Sequence, residues 1–306
     1  MTGAVAGQAV AKHLAHKRDL GNVFVASVSS AHGQLRADLR IPTDHPYFND
    51  WAEPHCDLLL WLEASRQAVE VLLHTYENVP LDQQFVIRQL QVGLPTHQVP
   101  RAPLHAPDLV FTPQRVRRGS DGLLRLVTGE AIFGQAGRPI GSFQGTLRLL
   151  DQSVYEEARS GSRPAATSAS PVDPVDPVDP VELGRRDSAN VVIANATHRG
   201  RCTAASVVVE SGHCFFSDHP SDHHSGLALI EAARQVATVS LSSPGQRRSH
   251  PPVLVAISAD FTRFADIGER IDLCATPISA QEVRVVIKTT DGPVGALMLE
   301  FDDASS

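Results

Sequence analysis

The sequence predicts an α+β protein of two related domains, each an antiparallel sheet wrapped around one central buried helix. Gly226 to Gln235 (GLALIEAARQ) is echoed by Leu60 to Gln67 (LWLEASRQ). Glu63, Arg66 and Gln67 each lie 168 positions before Glu231, Arg234 and Gln235, and His55 precedes His223 by the same interval. Agreement at a fixed offset signals an internal repeat, which fixes the architecture before any motif is interpreted. Each copy is followed by a succession of strand-like runs, and 306 residues suit two domains of roughly 150 each.

Taken in order, Val23–Ser29 and Gln34–Ile41 flank the turn Ala31-His32-Gly33 and form a strand pair. Pro42 to Pro54 is a loop. A helix follows at about Leu58 to Leu73, with Asp57 as N-cap and apolar residues nearly all round, the pattern of a buried helix. Pro80 disfavours its continuation. Strands are expected at Phe85–Leu94, Leu109–Arg117, Leu123–Phe133 and Pro139–Leu150, separated by Gly- and Pro-bearing turns. One early helix followed by long antiparallel strands is an arrangement of the hotdog kind. Residues 160–187 break the pattern with PVDPVDPVDPVE, whose proline at every third position favours an extended, solvated spacer. The division expected is therefore a first domain at 1–158, a linker at 159–187 and a second domain at 188–306. In the second domain, strands at Val191–Asn195 and Ala204–Glu210 precede a His- and Asp-rich loop, Cys214–Ser225, and a helix at about Leu227–Ser240. Strands then follow at Val253–Phe261, Arg270–Pro277, Glu282–Thr289 and Val294–Phe301. His198-Arg199 stands as the counterpart of His16-Lys17-Arg18 at the head of the first domain.

A net charge of −7 and a pI near 6.0 argue against nucleic acid as a partner, since phosphate backbones call for a basic face. The N-terminus lacks the pattern of a signal peptide, and no segment reaches the roughly 18 apolar residues that span a bilayer. Cys56, Cys202, Cys214 and Cys274 are scattered without a C-x-x-C pair, which fits reduced thiols. The expectation is a soluble cytoplasmic protein.

Glu and Arg at i and i+3 share a helix face, and a charge buried alone costs several kcal/mol, so each needs a partner. In one reading, Glu63–Arg66 and Glu231–Arg234 are structural ion pairs at the domain interface. In the other, each Glu faces a cavity where desolvation raises its pKa and makes it a general base or acid. The Arg beside it then grips an anionic substrate group with its forked donors. Both helices are approached by a D-H-P loop, Asp44-His45-Pro46 and Asp218-His219-Pro220, and His55 and His223 lie eight residues before their Glu. A loop entering a helix N-terminus, near Asp57 and near Gly226, offers free N–H groups suited to the oxyanion of a thioester or ketone. The candidate catalytic residues are thus Glu63, Arg66, Glu231 and Arg234. Gln67, Gln235, His45, His55, Asp57, His219, His223 and Gly226 are candidates for binding substrate. No metal site is expected: the second loop is dense in His213, Cys214, Asp218, His219, Asp222, His223 and His224, but the first domain lacks that density and no H-E-x-x-H frame is present. Nucleophile-elbow, phosphate-loop and dinucleotide fingerprints are absent, and no cofactor is expected.

His55 to Gln67 (H-x-D-L-L-L-x-L-E-x-x-R-Q) with Asp44-His45-Pro46 resembles the first repeat of the A-factor biosynthesis hotdog family, the synthases of butanolide and butenolide signalling molecules. Asp218-His219-Pro220 with Gly226–Gln235 resembles its second repeat, and that stretch is also similar to the central helix of hotdog β-hydroxyacyl-carrier-protein dehydratases. The resemblance implies an acyltransferase that joins a β-ketoacyl chain, delivered as a thioester on acyl carrier protein or coenzyme A, to the hydroxyl of dihydroxyacetone phosphate. It further implies that Glu231 or Glu63 takes the hydroxyl proton, that Arg234 or Arg66 binds the phosphate or orients the Glu, and that the apolar helix faces line an acyl tunnel. His219 stands closer to Gly226 than the dehydratase histidine does to its glycine, which speaks against dehydration. A hotdog thioesterase or dehydratase, or a non-catalytic binder of acyl ligands, are the alternatives. Two joined units can complete a pseudo-dimer within one chain, and a homo-oligomer is compatible with it.

Overall fold

A computed structural model describes residues 8–31, 34–52, 55, 57–95, 106–160, 176–218, 221–242 and 251–302. The elements are β1 (Gln8–Ala9), β2 (Val25–Ala31), β3 (Gln34–Leu39), α1 (Leu58–Tyr76), β4 (Gln84–Gly93), β5 (Pro107–Arg118), β6 (Leu124–Gln135), β7 (Arg138–Leu150), α2 (Gln152–Ser160), β8 (Ile193–Arg199), β9 (Cys202–Val207), α3 (Gly226–Leu241), β10 (Val253–Phe261), β11 (Asp272–Pro277), β12 (Glu282–Thr289) and β13 (Gly292–Asp302). The two long helices and the long strands fall where hydrophobic periodicity places them. The additions are the two-residue β1 and the exposed, polar α2.

All thirteen strands belong to one antiparallel sheet, ordered β1-β2-β3-β5-β6-β7-β4-β10-β13-β12-β11-β9-β8. Its midpoint is the β4–β10 pair, running from Gly93 opposite Ala256 to Gln89 opposite Asp260. β4 and β10 are equivalent strands of the two repeats, so the seam is self-complementary, as an isologous dimer contact is. The first half of the sheet curves around α1 and the second around α3. This is the double hotdog arrangement.

The helices are buried because they carry apolar side chains on every face. Leu58, Leu59, Trp61, Leu62, Leu72 and Leu73 are all but inaccessible, as are Ile230, Ala233 and Val236. Trp61 stacks on Phe133 of β6 with ring centres 4.7 Å apart. Each helix starts at a side-chain cap: Asp57 accepts from the Leu59 amide at 3.0 Å and Ser225 from the Ala228 amide at 3.1 Å.

Three expectations need correction. The stretch 159–187 is not wholly a spacer, because residues 176–187 are built into the second half: Pro177 bridges Ala194, Leu183 is buried and Arg185 is 1% exposed. Composition is blind to a short segment that packs by backbone pairing. The counterpart of Lys17 is Arg185, not Arg199, which lies exposed at the end of β8. Both Lys17 and Arg185 follow a short 3₁₀ helix (Lys12–Ala15 and Pro180–Leu183) whose C-cap, His16 or Gly184, is left-handed. Finally, Cys202 and Cys274 are joined in a disulfide, Cα–Cα 5.9 Å, rather than reduced. β9 pairs with β11 and brings them together across 72 residues of sequence. No helix among the described residues is long and apolar enough to cross a membrane.

Candidate active site between the two halves

The interval of 168 holds well beyond the helices. Asp19 and Asp187 each cap a 3₁₀ turn, and Asn22 and Asn190 end it. Asn22 Nδ2 donates to Asp218 and to the Cys214 carbonyl of the second half (2.9 and 3.1 Å), and Asn190 Nδ2 donates to Asp50 and to the Pro46 carbonyl of the first (2.8 and 2.9 Å). The halves thus exchange identical contacts about a pseudo-two-fold axis, and two clusters of charge lie where each helix meets the opposite half.

In the first cluster Glu63 is 1% exposed. Arg66 clamps it with Nε at 2.7 Å and Nη2 at 2.8 Å, Gln67 donates at 2.8 Å, and Lys17 stands 3.1 Å away. The remaining Arg66 nitrogen, Nη1, is 2.5 Å from Glu70. Gln67 also bridges the Asn22 carbonyl and the Phe24 amide at 2.8 Å each. Lys17 lies over the Phe215 ring, 4.4 Å from its centre.

In the second cluster Glu231 is wholly buried. It pairs with Arg234, accepts from Gln235 at 2.6 Å, and accepts from Arg185 at 2.9 Å. Arg234 Nη1 donates at 2.7 Å to Asp57, the N-cap of α1, so the cluster draws on both halves. Arg185 also donates to the Tyr47 carbonyl at 2.7 Å and lies 3.9 Å over the Trp51 ring, which Arg234 approaches to 4.5 Å. Trp51, His55, Asp57, Arg185, Glu231 and Arg234 line a cleft whose enclosed space is about 10 Å³, room for roughly one water molecule. Among the described residues the apolar faces of both helices pack directly against the sheet.

The raised pKa expected of the glutamates is not found. Burial pushes both carboxyls up, but the guanidinium beside each, aided by Lys17 or Arg185, overcomes it and holds both below the usual carboxylate range. Both are therefore ionised at neutral pH. Tyr47 is raised well above its ordinary value by burial and by the Glu231 carboxylate, so its hydroxyl stays protonated. Around this cluster Tyr47 Oη, Trp51 Nε1, Arg185 Nε, Arg234 Nε and His213 Nε2 are buried donors without a hydrogen-bond partner among the described residues. The Asp57 Oδ2 acceptor is likewise without a partner, but the donors are in excess, and because buried polar groups are nearly always satisfied the excess calls for an acceptor.

Of the residues singled out from sequence, Glu231, Arg234, Gln235, Asp57 and His55 come together here, and Glu63, Arg66 and Gln67 meet in the first cluster. His45 borders the first cluster through Asn22, whose carbonyl Gln67 holds: its Nδ1 accepts from the Tyr47 and Phe48 amides and its Nε2 contacts Asn22 Oδ1 at 2.8 Å. His223 faces Asp222 and Tyr155 rather than Glu231. His219 lies outside the described residues. Gly226 opens α3, where an added Cβ meets only ordinary contacts with Phe261, so no close approach demands glycine there. The D-H-P match is also corrected. By position Asp218 corresponds to Asp50, and His45 corresponds to His213, whose Nδ1 likewise accepts two backbone amides, from Phe215 and Phe216. The two tripeptides lie 174 rather than 168 positions apart. Lys17, Tyr47, Trp51 and Arg185 were missed, although the interval of 168 carries Lys17-Arg18-Asp19 onto Arg185-Arg186-Asp187. Among the described residues no group of three or more potential ligands is placed to hold a metal.

The profile of the A-factor biosynthesis hotdog domain matches residues 4–151 and 166–290. A 2-oxo-3-(phosphooxy)propyl 3-oxoalkanoate synthase of Streptomyces virginiae is 27% identical over 279 residues, covering 89% of each chain. The synthase of that name from Streptomyces griseus is 28% identical over 231 residues, covering 74% of this chain and 72% of its own. In fold, the chain is similar to an acyl-ACP thioesterase from Bacteroides thetaiotaomicron (TM-score 0.50, 12% identity, 82% of this chain and 95% of that one). It is similar in the same way to a 12:0-ACP thioesterase from Umbellularia californica (TM-score 0.50, 11% identity, 89% and 99%). A profile spanning both halves, with relatives that are synthases along most of their length, places this protein in the A-factor biosynthesis hotdog domain family.

Proposed function

We propose that the chain is an acyltransferase that moves a β-ketoacyl group from a thioester, on acyl carrier protein or coenzyme A, to the hydroxyl of dihydroxyacetone phosphate. The observation that carries this reading is the set of orphaned buried donors around Glu231, above all Trp51 Nε1, Arg185 Nε and Arg234 Nε. Donors without acceptors suit an anion such as a phosphate ester, and the planar guanidinium forks suit its oxygens. The relatives' shared name describes a β-keto acid esterified to a phosphooxy-ketone, which supports the same substrate pair.

In the reaction, the substrate hydroxyl oxygen attacks the thioester carbonyl carbon. A C–O bond forms, the C–S bond breaks, and the hydroxyl proton passes to Glu231 and on to the departing thiolate. In the unliganded cluster Glu231 is a weak base, because Arg185 and Arg234 stabilise its ionised form. A bound phosphate shares those guanidinium groups and adds negative charge nearby, and both effects raise the carboxylate's basicity. The base is thereby strengthened by the substrate it serves. The cleft must open to admit an acyl chain.

The test is mass spectrometry of products after incubation with a β-ketoacyl thioester and dihydroxyacetone phosphate. The phosphorylated β-keto ester is expected, and Glu231→Gln should slow its formation by about 100-fold or more, the scale of a lost general base. Appearance of free β-keto acid alone would assign the chain to thioester hydrolysis instead.

A further inference from the structure

We infer that the two copies have divided the work: the composite cluster of Glu231, Arg234 and Arg185, completed by Asp57 from the other half, takes the phosphate-bearing substrate, and the Glu63–Arg66 cluster is a closed strut. This rests on the function proposed above and names the copy that performs it and the cation that anchors the anion.

Three differences at equivalent positions separate the copies. Where the first has Glu70, the second has Thr238, whose hydroxyl turns back to the Arg234 carbonyl at 3.0 Å. Arg66 therefore has all three nitrogens engaged by carboxylates of its own helix, two by Glu63 and one by Glu70. Arg234 must find its second carboxylate across the interface, in Asp57. Where the first half caps its helix with Asp57, the second uses Ser225, so the bridge has no mirror image. Where the first copy has Lys17, a point charge lying on Phe215, the second has Arg185, a planar fork lying on Trp51.

The consequence is a difference in unmet hydrogen bonds. In the first cluster the orphaned charged atom is an acceptor, Glu70 Oε2, to which an anion has nothing to bring. In the second, one acceptor is orphaned, Asp57 Oδ2, but donors outnumber it: the Nε atoms of two guanidinium groups and the Trp51 indole N–H, on residues 7% exposed or less that line the cleft. A ligand with several anionic oxygens satisfies donors of this kind, and the phosphate monoester of the proposed acceptor is of that class.

Reciprocal exchange of the equivalent cations tests the division. Arg185→Lys and Lys17→Arg each keep the charge and alter only the donor geometry. Calorimetric titration with inorganic phosphate and with dihydroxyacetone phosphate, alongside ester formation and thermal melting, should show Arg185→Lys weakening binding of both ligands at least about 10-fold and slowing ester formation by more. Lys17→Arg should stay within about twofold of wild type in each. If Arg185→Lys does not fold, Asp57→Asn against Ser225→Asn makes the same comparison, since Asn also caps a helix. Equal losses in the two halves at unchanged melting temperature, or wild-type phosphate binding by Arg185→Lys, overturn the division. If phosphate binding follows the expected pattern and no ester forms, the transfer reading fails and the division stands. If ester forms with Lys17→Arg impaired and Arg185→Lys intact, the division fails and the transfer reading stands.

Discussion

At the scale of single residues, the buried titratable groups set how the fold responds to acid. His45 and His213 are each held at about 4, against an ordinary 6.5, chiefly because burial disfavours the charged ring. Each ring also uses Nδ1 to accept backbone amides, which fixes the proton of the neutral form on Nε2. As pH falls below about 6.5 the unfolded chain binds these protons first. The stability that depends on neutral histidine is therefore complete above 6.5 and lost progressively towards pH 4. Solvent screening leaves about 2 kcal/mol for each ring. Glu63 and Glu231 act in the same direction lower down, being depressed by their guanidinium partners. Their contribution is present above about 4.5, the ordinary glutamate value, and disappears as pH falls through the folded values. Urea midpoints should be level from pH 8 to about 6.5, decline to about 4.5, and then drop steeply. His213→Asn keeps a side-chain acceptor for the two amides and should flatten the first decline by about 2 kcal/mol. An unchanged slope would show that the ring is not buried as a neutral group.

At the scale of elements, the two central helices begin with caps of different consequence. Ser225→Ala removes one hydrogen bond to a first-turn amide and should cost about 1 kcal/mol. Asp57→Ala removes such a bond and also leaves Arg234 with a lost counter-charge in the interior, which costs about 3–5 kcal/mol. Asp57→Asn should fall between them, because the amide oxygen still caps but no longer neutralises. Equal losses for the two alanine variants, measured by denaturation, would mean that the Arg234–Asp57 bridge contributes nothing. These helices were legible in the sequence because apolar residues on every face and a repeated E-x-x-R-Q leave little alternative. The long strands were legible from alternation and from turns such as Ser120-Asp121-Gly122. The cap at Asp57 was also visible, but its second role, pairing with a guanidinium 177 residues away, was not, because contact across a pseudo-two-fold axis leaves no local pattern. Arg185 was hidden differently: it follows PVDPVDPVDPVE, and the composition of that spacer masked a match to Lys17 that the offset of 168 already contained.

At the scale of the whole molecule, one continuous sheet joins halves that each hold part of the other's structure. The seam pairs β4 with β10, Asp218 binds the Arg18 and Asp19 amides at 2.8 and 3.0 Å, and Asp50 binds the Arg186 and Asp187 amides at 3.3 and 3.1 Å. Tyr47, Phe48, Phe215 and Phe216 interleave at the axis, with the Tyr47 and Phe215 rings stacked 5.4 Å apart. A half alone would expose the β4 or β10 edge and would strand Arg234 or Asp57 without its partner, and unpaired edges and buried charges are both costly. The covalent connection through 161–175 is thus not what holds the halves together. A protease site engineered at Pro171–Pro174 and cut after folding should give two fragments that co-migrate with the uncut chain on size exclusion and retain ester-forming activity, because the composite cluster needs both halves but not the peptide bond between them. Separation of the fragments without denaturant would show that the seam is held by the tether, and the composite cluster would then depend on that tether too.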